Sequence, residues 1–268
     1  MAYEKMISQR EPGLIGLILD DSGSMADKFS PETADHKYQW VERYSGNILY
    51  ELLARSSEVK GNDAVVKPRY YLTVVKYGSR PELWGSPEMD IQTAVKLFSN
   101  SGNSLGLGGN LGGTDAEAAF AEMLGHLKDS LAGGRFRNSF SPMIFHLSDG
   151  ESHTDATGIA EEMKRQSTTD GNVLVVNAYI GTQTNLSYNG PDDFPGYVDV
   201  SEVGSSPDNI RLFEMSSEVP PSIEANLKAD AIFPQIRSSS RLFFDVRTKD
   251  MLKQTLQVVG SIGSRVAR

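Results

Sequence analysis

Residues 14–19 read Leu-Ile-Gly-Leu-Ile-Leu and stop abruptly at Asp20. A strand with one wet face alternates apolar and polar side chains, and this run does not. A segment apolar on both faces belongs in the middle of a covered, parallel-type sheet, which requires helices on both sides. The rest of the chain supplies them. Val41, Ser45, Ile48, Leu49, Leu52 and Leu53 recur at helical spacing within 37–60, and Ala118, Ala119, Met123, Leu124 and Leu127 do so within 115–131. Helical patterns also cover 154–166, 208–217, 221–236 and 248–262. β-Branched and aromatic composition marks strands at 69–77, 142–147, 172–180 and 241–246. Segment 81–99 is mixed and reads as a short strand near Trp84, then a short helix or edge strand. Strands alternating with helices predict an α/β fold: a doubly wound, mostly parallel central sheet with helices on both faces, Rossmann-like. Residues 1–12 read as an N-terminal tail and 13–268 as a single domain.

Composition removes several functions. The chain carries 26 Lys+Arg against 35 Asp+Glu, a formal charge of −9, which argues against nucleic acid or an anionic membrane as the main partner. Cysteine is absent, so disulfides, thiolate metal sites and cysteine nucleophiles are excluded. No apolar run approaches the ~18 residues of a membrane span. The first residues, MAYEKMISQREP, hold no hydrophobic signal core. The expected location is cytoplasmic.

In a doubly wound sheet, ligands bind outside the carboxyl ends of the strands, where the strand order reverses. Three loops there carry the chemistry. The first apolar strand runs into Asp20-Asp21-Ser22-Gly23-Ser24, and a tight turn at Gly23 brings Asp20, Ser22 and Ser24 together. Gly112-Gly113-Thr114 offers a third hydroxyl just before a helix, and Asp149 follows the strand at 142–147. Two carboxylates and three hydroxyls are an all-oxygen set suited to a hard divalent cation such as Mg²⁺, with Mn²⁺ or Ca²⁺ as substitutes. Each piece also has a plain structural reading. Ser22 or Ser24 could cap a turn, Thr114 with Glu117 spells a capping box, and Asp149-Gly150 is a common turn pair.

LDDSGSM, GGTD and LSDG, in this order and spacing, resemble the three pieces of the metal-ion-dependent adhesion site (MIDAS) of von Willebrand factor type A (VWA) domains. The resemblance covers about residues 13–262. It implies a sheet with one antiparallel edge strand. It also implies that Ser22, Ser24 and Thr114 supply hydroxyl ligands, while Asp20 and Asp149 hold the ion mainly through waters. A partner protein's Asp or Glu would fill the open position. The expected function is therefore a metal-dependent protein–protein interaction module and not an enzyme. Prokaryotic intracellular relatives of this type resemble scaffolds or regulators in stress-response and tellurite-resistance systems, alongside kinases, phosphatases or AAA+ ATPases.

Two further features set the chain apart from the family's common form. Segments 181–207 and 220–240 read as insertions and, most simply, as surface decoration; no Lys or Arg occurs between Arg165 and Arg211. Asp20, Asp21, Asp27, Asp115, Asp149, Glu151 and Asp155 are expected to crowd one acidic rim, so that a cation would be needed before an acidic ligand could dock. Arg237, Arg241, Arg247, Lys249, Lys253, Arg265 and Arg268 are expected to form a solvated basic face. No Walker A follows the glycine loop and no G-x-S-x-G elbow is present. Among the histidines, His146 reads as a core residue and His153 as exposed. Two alternatives stay open: a metal-dependent phosphate-ester hydrolase using His153 or Glu151, and a secreted or surface adhesin.

Overall fold

The computed structural model of the chain describes residues 3–29, 33–61, 63–181 and 184–262. In order, the elements are β1 (Gly13–Asp20), α1 (Lys37–Ser56), β2 (Ser57–Lys60), β3 (Asp63–Val66), β4 (Tyr70–Tyr77) and β5 (Pro81–Asp90). Then come α2 (Ile91–Asn100), α3 (Ala116–Ala132), β6 (Met143–Ser148), α4 (Thr157–Arg165) and β7 (Leu174–Tyr179). The last are α5 (Pro207–Met215), α6 (Pro221–Ala229), β8 (Phe243–Asp245) and α7 (Lys249–Ile262). The main sheet has the order β5-β4-β1-β6-β7-β8, parallel throughout except for β5, which runs antiparallel to β4 at the edge.

β1 is central and buried on both faces, as its composition requires. Ile15, Leu17 and Leu19 face one layer, which contains Val41 and Ile48 of α1, Phe98 of α2, Leu227 of α6 and Leu252 of α7. Leu14 and Ile18 face the other, with Phe120 and Met123 of α3 and Ala160 and Met163 of α4. Gly16 is where α3 comes closest: a Cβ there would lie 2.6 Å from Ile144 Cδ1 and 2.8 Å from Met123 Sδ. The chain leaves β1 toward β4 on one side and reaches β6 on the other. The strand order therefore reverses at β1, and a crevice opens at its carboxyl end. No helix of the described residues is long and apolar enough to cross a membrane.

Three local expectations change. The helix expected over 37–60 stops at Ser56, because Ser57–Lys60 pairs antiparallel with Asp63–Val66. Gly61, at φ +65°, makes the turn that a helix could not. The segments read as decoration each put large side chains into the core, beneath an exposed outer surface. Phe194, Tyr197 and Phe233 are fully buried, and Phe233 stacks on Phe244 of the sheet with centroids 4.9 Å apart. The described basic side chains expected to form a solvated face are at least partly exposed, and most of them are also tied to the chain by hydrogen bonds and ion pairs. Arg237 forks onto Glu202 with two contacts of 2.8 Å, and Arg241 donates to the Ser216 carbonyl at 2.8 Å. Arg247 pairs with buried Asp245 at 2.6 Å and Lys249 with Asp35 at 2.8 Å. Lys253 is exposed, and Arg265 and Arg268 lie outside the described residues. The lead-in also has fixed contacts: the backbone N–H groups of Glu4 and Lys5 donate to Asp170 Oδ1, and Ile7 is buried.

Candidate metal centre

All three loops singled out in the sequence meet at the carboxyl end of β1. Asp20 is its last residue and is fully buried. Asp20 Oδ1 accepts the Ser22 N–H at 2.9 Å, and Oδ2 accepts the Ser148 hydroxyl at 2.6 Å. The Tyr77 hydroxyl lies 3.3 Å from the same Oδ2. Burial pushes the Asp20 carboxyl up to about 6, against the pull of the Ser148 and Ser22 hydrogen bonds and with a smaller upward push from Asp149. After Asp20 the chain makes a single 3-10 turn, Gly23–Ala26. That turn folds Ser24 back so that its Oγ is 3.2 Å from Ser22 Oγ. Ser24 Oγ then donates to Asp149 Oδ1 at 3.1 Å. Ser22, Ser24 and Asp149 thus form one continuous oxygen chain across residues far apart in sequence.

Thr114 arrives on the glycine loop, which is fastened at many points. Gly23 N–H donates to the Gly112 carbonyl at 2.9 Å, and Leu111 N–H to the Asp21 carbonyl at 3.0 Å. The Gly113 N–H donates to Ser79 Oγ at 2.8 Å, and Asp115 N–H to the Gly78 carbonyl at 2.7 Å. Two carboxylates clamp the loop's start. Asp21 Oδ1 accepts the Gly108 and Gly109 N–H groups at 2.6 Å each. Glu42 accepts those of Leu105 and Leu107, the latter at 3.0 Å. Gly78 is required for this docking, since a Cβ there would lie 2.4 Å from the Leu111 carbonyl oxygen. Thr114 ends up 6% exposed, and among the described residues its hydroxyl has no hydrogen-bond partner. It does not cap α3. Asp115 does, its Oδ1 accepting the Ala118 N–H at 3.0 Å. The capping box read from Thr114 and Glu117 is therefore absent. Thr154 takes the Glu117 N–H instead, at 3.1 Å.

The donor set suits a hard cation on chemical grounds. It is entirely oxygen, with two carboxylates from Asp20 and Asp149 and hydroxyls from Ser22, Ser24 and Thr114. Among the described residues no three His, Cys, Asp or Glu side chains cluster as a metal-holding set, here or elsewhere, so the site relies on its hydroxyls as well as its two carboxylates.

Comparison with solved structures agrees with this fold. Proximal thread matrix protein 1 from the mussel byssus superposes with a TM-score of 0.51, at 12% identity, over 93% of this chain and 47% of that one. A further structure of that protein, with a zinc-occupied MIDAS motif, gives 0.50 at 13% identity over the same shares. The chain has the fold of a VWA domain. This chain thus spans about half the length of the mussel protein, and at such identity the likeness concerns the fold alone. An aerotolerance-related membrane protein from Bacteroides fragilis superposes at 0.44, with 13% identity over 93% of this chain and 98% of that one, too low to argue from. No protein-family model matches the sequence, and no curated protein does.

Around the VWA crevice the acidic rim is thinner than expected. Asp20 and Asp21 are fully buried, and Asp115 and Asp155 are engaged in helix starts, the latter accepting the Thr157 N–H at 2.9 Å. Asp27, Glu151 and Asp155 are exposed. Asp149 is paired: Lys37 Nζ donates to its Oδ2 at 2.8 Å. Nothing in the local sequence marks Lys37 as a site residue, since it opens α1 more than a hundred positions away. Tyr77 and Ser148 were also unmarked, although Ser148 stands inside the LSDG motif. His146 is the core histidine expected. Its Nδ1 lies 2.8 Å from Asn177 Oδ1 and its Nε2 2.7 Å from the Tyr77 hydroxyl, and burial holds its pKa down at about 4. His153 is exposed, as expected.

Proposed function

We propose that this chain is a protein–protein interaction module that works through a divalent cation, Mg²⁺ in the first instance, at the Asp20–Ser22–Ser24–Thr114–Asp149 site. Ser22, Ser24 and Thr114 hold the ion through their hydroxyls, and Asp20 and Asp149 hold it mainly through waters. The open position receives an Asp or Glu from a partner protein. One observation carries this reading. The hydroxyls of Ser22 and Ser24 and the carboxylate of Asp149 stand in one chain of oxygens at the carboxyl end of β1, and the loop that carries Thr114 is docked beside them through the Gly23 N–H on the Gly112 carbonyl.

The module is proposed to be non-catalytic. Its two candidate bases are poorly placed for general base work: His153 and Glu151 are both exposed, and His146 is tied between Asn177 and Tyr77. A cysteine-free chain with an acidic surface balance fits a cytoplasmic scaffold or regulator. The system we favour is a bacterial stress-response or tellurite-resistance set whose ATPase or kinase activity is supplied by a partner.

The test is affinity capture with the purified protein as bait, in millimolar Mg²⁺ and in chelator, with bound proteins identified by mass spectrometry. A partner retained only with Mg²⁺, and lost from a Ser22→Ala/Ser24→Ala bait, supports the reading. Retention that ignores both the metal and the substitutions overturns it.

A further inference from the structure

Lys37 is the first residue of α1, and its ammonium sits inside the candidate metal site. The Nζ lies 2.8 Å from Asp149 Oδ2 and 3.4 Å from the Ser24 carbonyl oxygen. The pair is well shielded, with side-chain exposures of 17% for Lys37 and 2% for Asp149. With Ser24 Oγ on Oδ1, both oxygens of Asp149 are occupied by groups of the chain itself.

The position is electrostatically costly for a lysine. The first turn of a helix presents partial positive charge and favours acidic residues. A lysine there is tolerated because Asp149 offsets it. Its backbone is also held in place. The Lys37 N–H donates to the Asp27 carbonyl at 3.0 Å, and His36 N–H to Gln39 Oε1 at 2.8 Å. Phe29 stacks on Trp40 of the same helix, with ring centroids 3.7 Å apart. The ammonium is thereby delivered to Asp149 by a braced segment.

An ammonium has three donors and no acceptor, so it cannot serve as a metal ligand. It competes for the same carboxylate oxygens that a cation's bound waters would use. With Lys37 in place, Asp20, Asp149 and the ammonium sum to a single negative charge when both carboxyls are ionised. With Lys37 withdrawn, two negative charges face the site, the complement of a divalent ion.

We propose that Lys37 is a built-in counter-cation of this site, which must leave Asp149 for a divalent cation to bind, so that metal occupancy and release of the Lys37 ammonium are one event. This rests on the metal-binding reading above and concerns how that site is regulated. The released ammonium then stands on the rim where an acidic partner side chain docks.

The test is a calorimetric titration of Mn²⁺ into the full chain, comparing the unmodified protein with Lys37→Gln and Lys37→Arg. Removing a charge-assisted competitor worth a hydrogen bond of this class predicts an affinity for Lys37→Gln tighter by about tenfold or more. Lys37→Arg, which keeps the charge, gains nothing comparable. A second measurement reads the side chain directly: the acetylation rate of the Lys37 amine, followed by mass spectrometry, rises when Mn²⁺ saturates the site. If the unmodified protein binds Mn²⁺ and Lys37→Gln binds no tighter, the inference is overturned while the metal site stands. An unchanged acetylation rate at saturation overturns it equally. If both proteins are folded by circular dichroism and neither binds millimolar Mn²⁺, the metal-binding reading itself fails and the inference falls with it.

Discussion

Asp21 distinguishes a carboxylate that holds the loop from one that serves the ion. It is fully buried beside Asp20, yet its Oδ1 accepts two backbone N–H groups, from Gly108 and Gly109, at 2.6 Å each. Its Oδ2 is buried without a partner. Burial raises the Asp21 pKa, opposed by those two hydrogen bonds and by Lys76. The charge itself therefore adds little, and the acceptor geometry matters most. In Asp21→Asn the remaining carbonyl oxygen still accepts both N–H groups, and the expected cost is under about 1 kcal/mol. In Asp21→Ala both donors lose their partner. Gly108 and Gly109 are only half-buried, so water recovers part of the loss. At roughly 1 to 1.5 kcal/mol per bond, the expected cost is about 2 to 3 kcal/mol. The assay is urea denaturation followed by circular dichroism, with Mn²⁺ affinity measured alongside. The loop that Asp21 clamps carries Thr114, so Asp21→Ala weakens Mn²⁺ binding as well. Two results would refute the reasoning: Asp21→Ala within about 0.5 kcal/mol of the unmodified protein, or Asp21→Asn as damaging as Asp21→Ala.

Gly78→Ala places a Cβ 2.4 Å from the Leu111 carbonyl oxygen, so the loop backbone must move; the expected cost is about 1 to 3 kcal/mol by denaturation, with weaker Mn²⁺ binding. Phe233→Ala empties a fully buried site stacked on Phe244, and is expected to lower the stability of the main unfolding transition by about 3 to 5 kcal/mol; a main transition left unmoved would show that 220–240 is decoration after all. His146, held at about 4 in the fold, stays neutral while the unfolded chain takes up a proton below about pH 6.5, so its contribution is present above that pH and is lost as pH falls toward 4. Asp20, raised to about 6, acts in the opposite sense over the same range, so the two contributions oppose each other in the unmodified protein. The difference between the unmodified protein and His146→Gln isolates the histidine: its relative stability should fall by about 3 kcal/mol from pH 7 to pH 4, and a flat difference would contradict the buried neutral imidazole.

Much of the architecture was legible in one dimension because it rests on local periodicity. The continuous apolar run of β1 declares a strand covered on both sides, and the helical spacing in α1 and α3 shows where the covers come from. The motif residues were legible for a related reason: loops at strand ends have their place dictated by the topology, so Asp20, Ser22, Ser24, Thr114 and Asp149 could be grouped before any coordinates. The end of the first helix was not legible. The spacing of its apolar residues continues through Leu53, and the hairpin begun at Ser57 depends on pairing with Asp63–Val66. The inserted segments were misread because their burial comes from one another and from β8, as Phe194 and Phe233 meet over Phe244.

Charge is where sequence reading stopped. A carboxylate's identity says nothing about which donor will face it, and that choice is made by chain segments brought together only on folding. So Asp21 and Glu42 became loop clamps, Asp115 rather than Thr114 became the cap of α3, and the late arginines became ties between chain segments. Composition and spacing determined the sheet, its two helical layers and the oxygen donors at its switch point. Only the tertiary structure decided that Lys37 lies against Asp149, because an ion pair between residues 112 positions apart is a property of the fold and leaves no local trace.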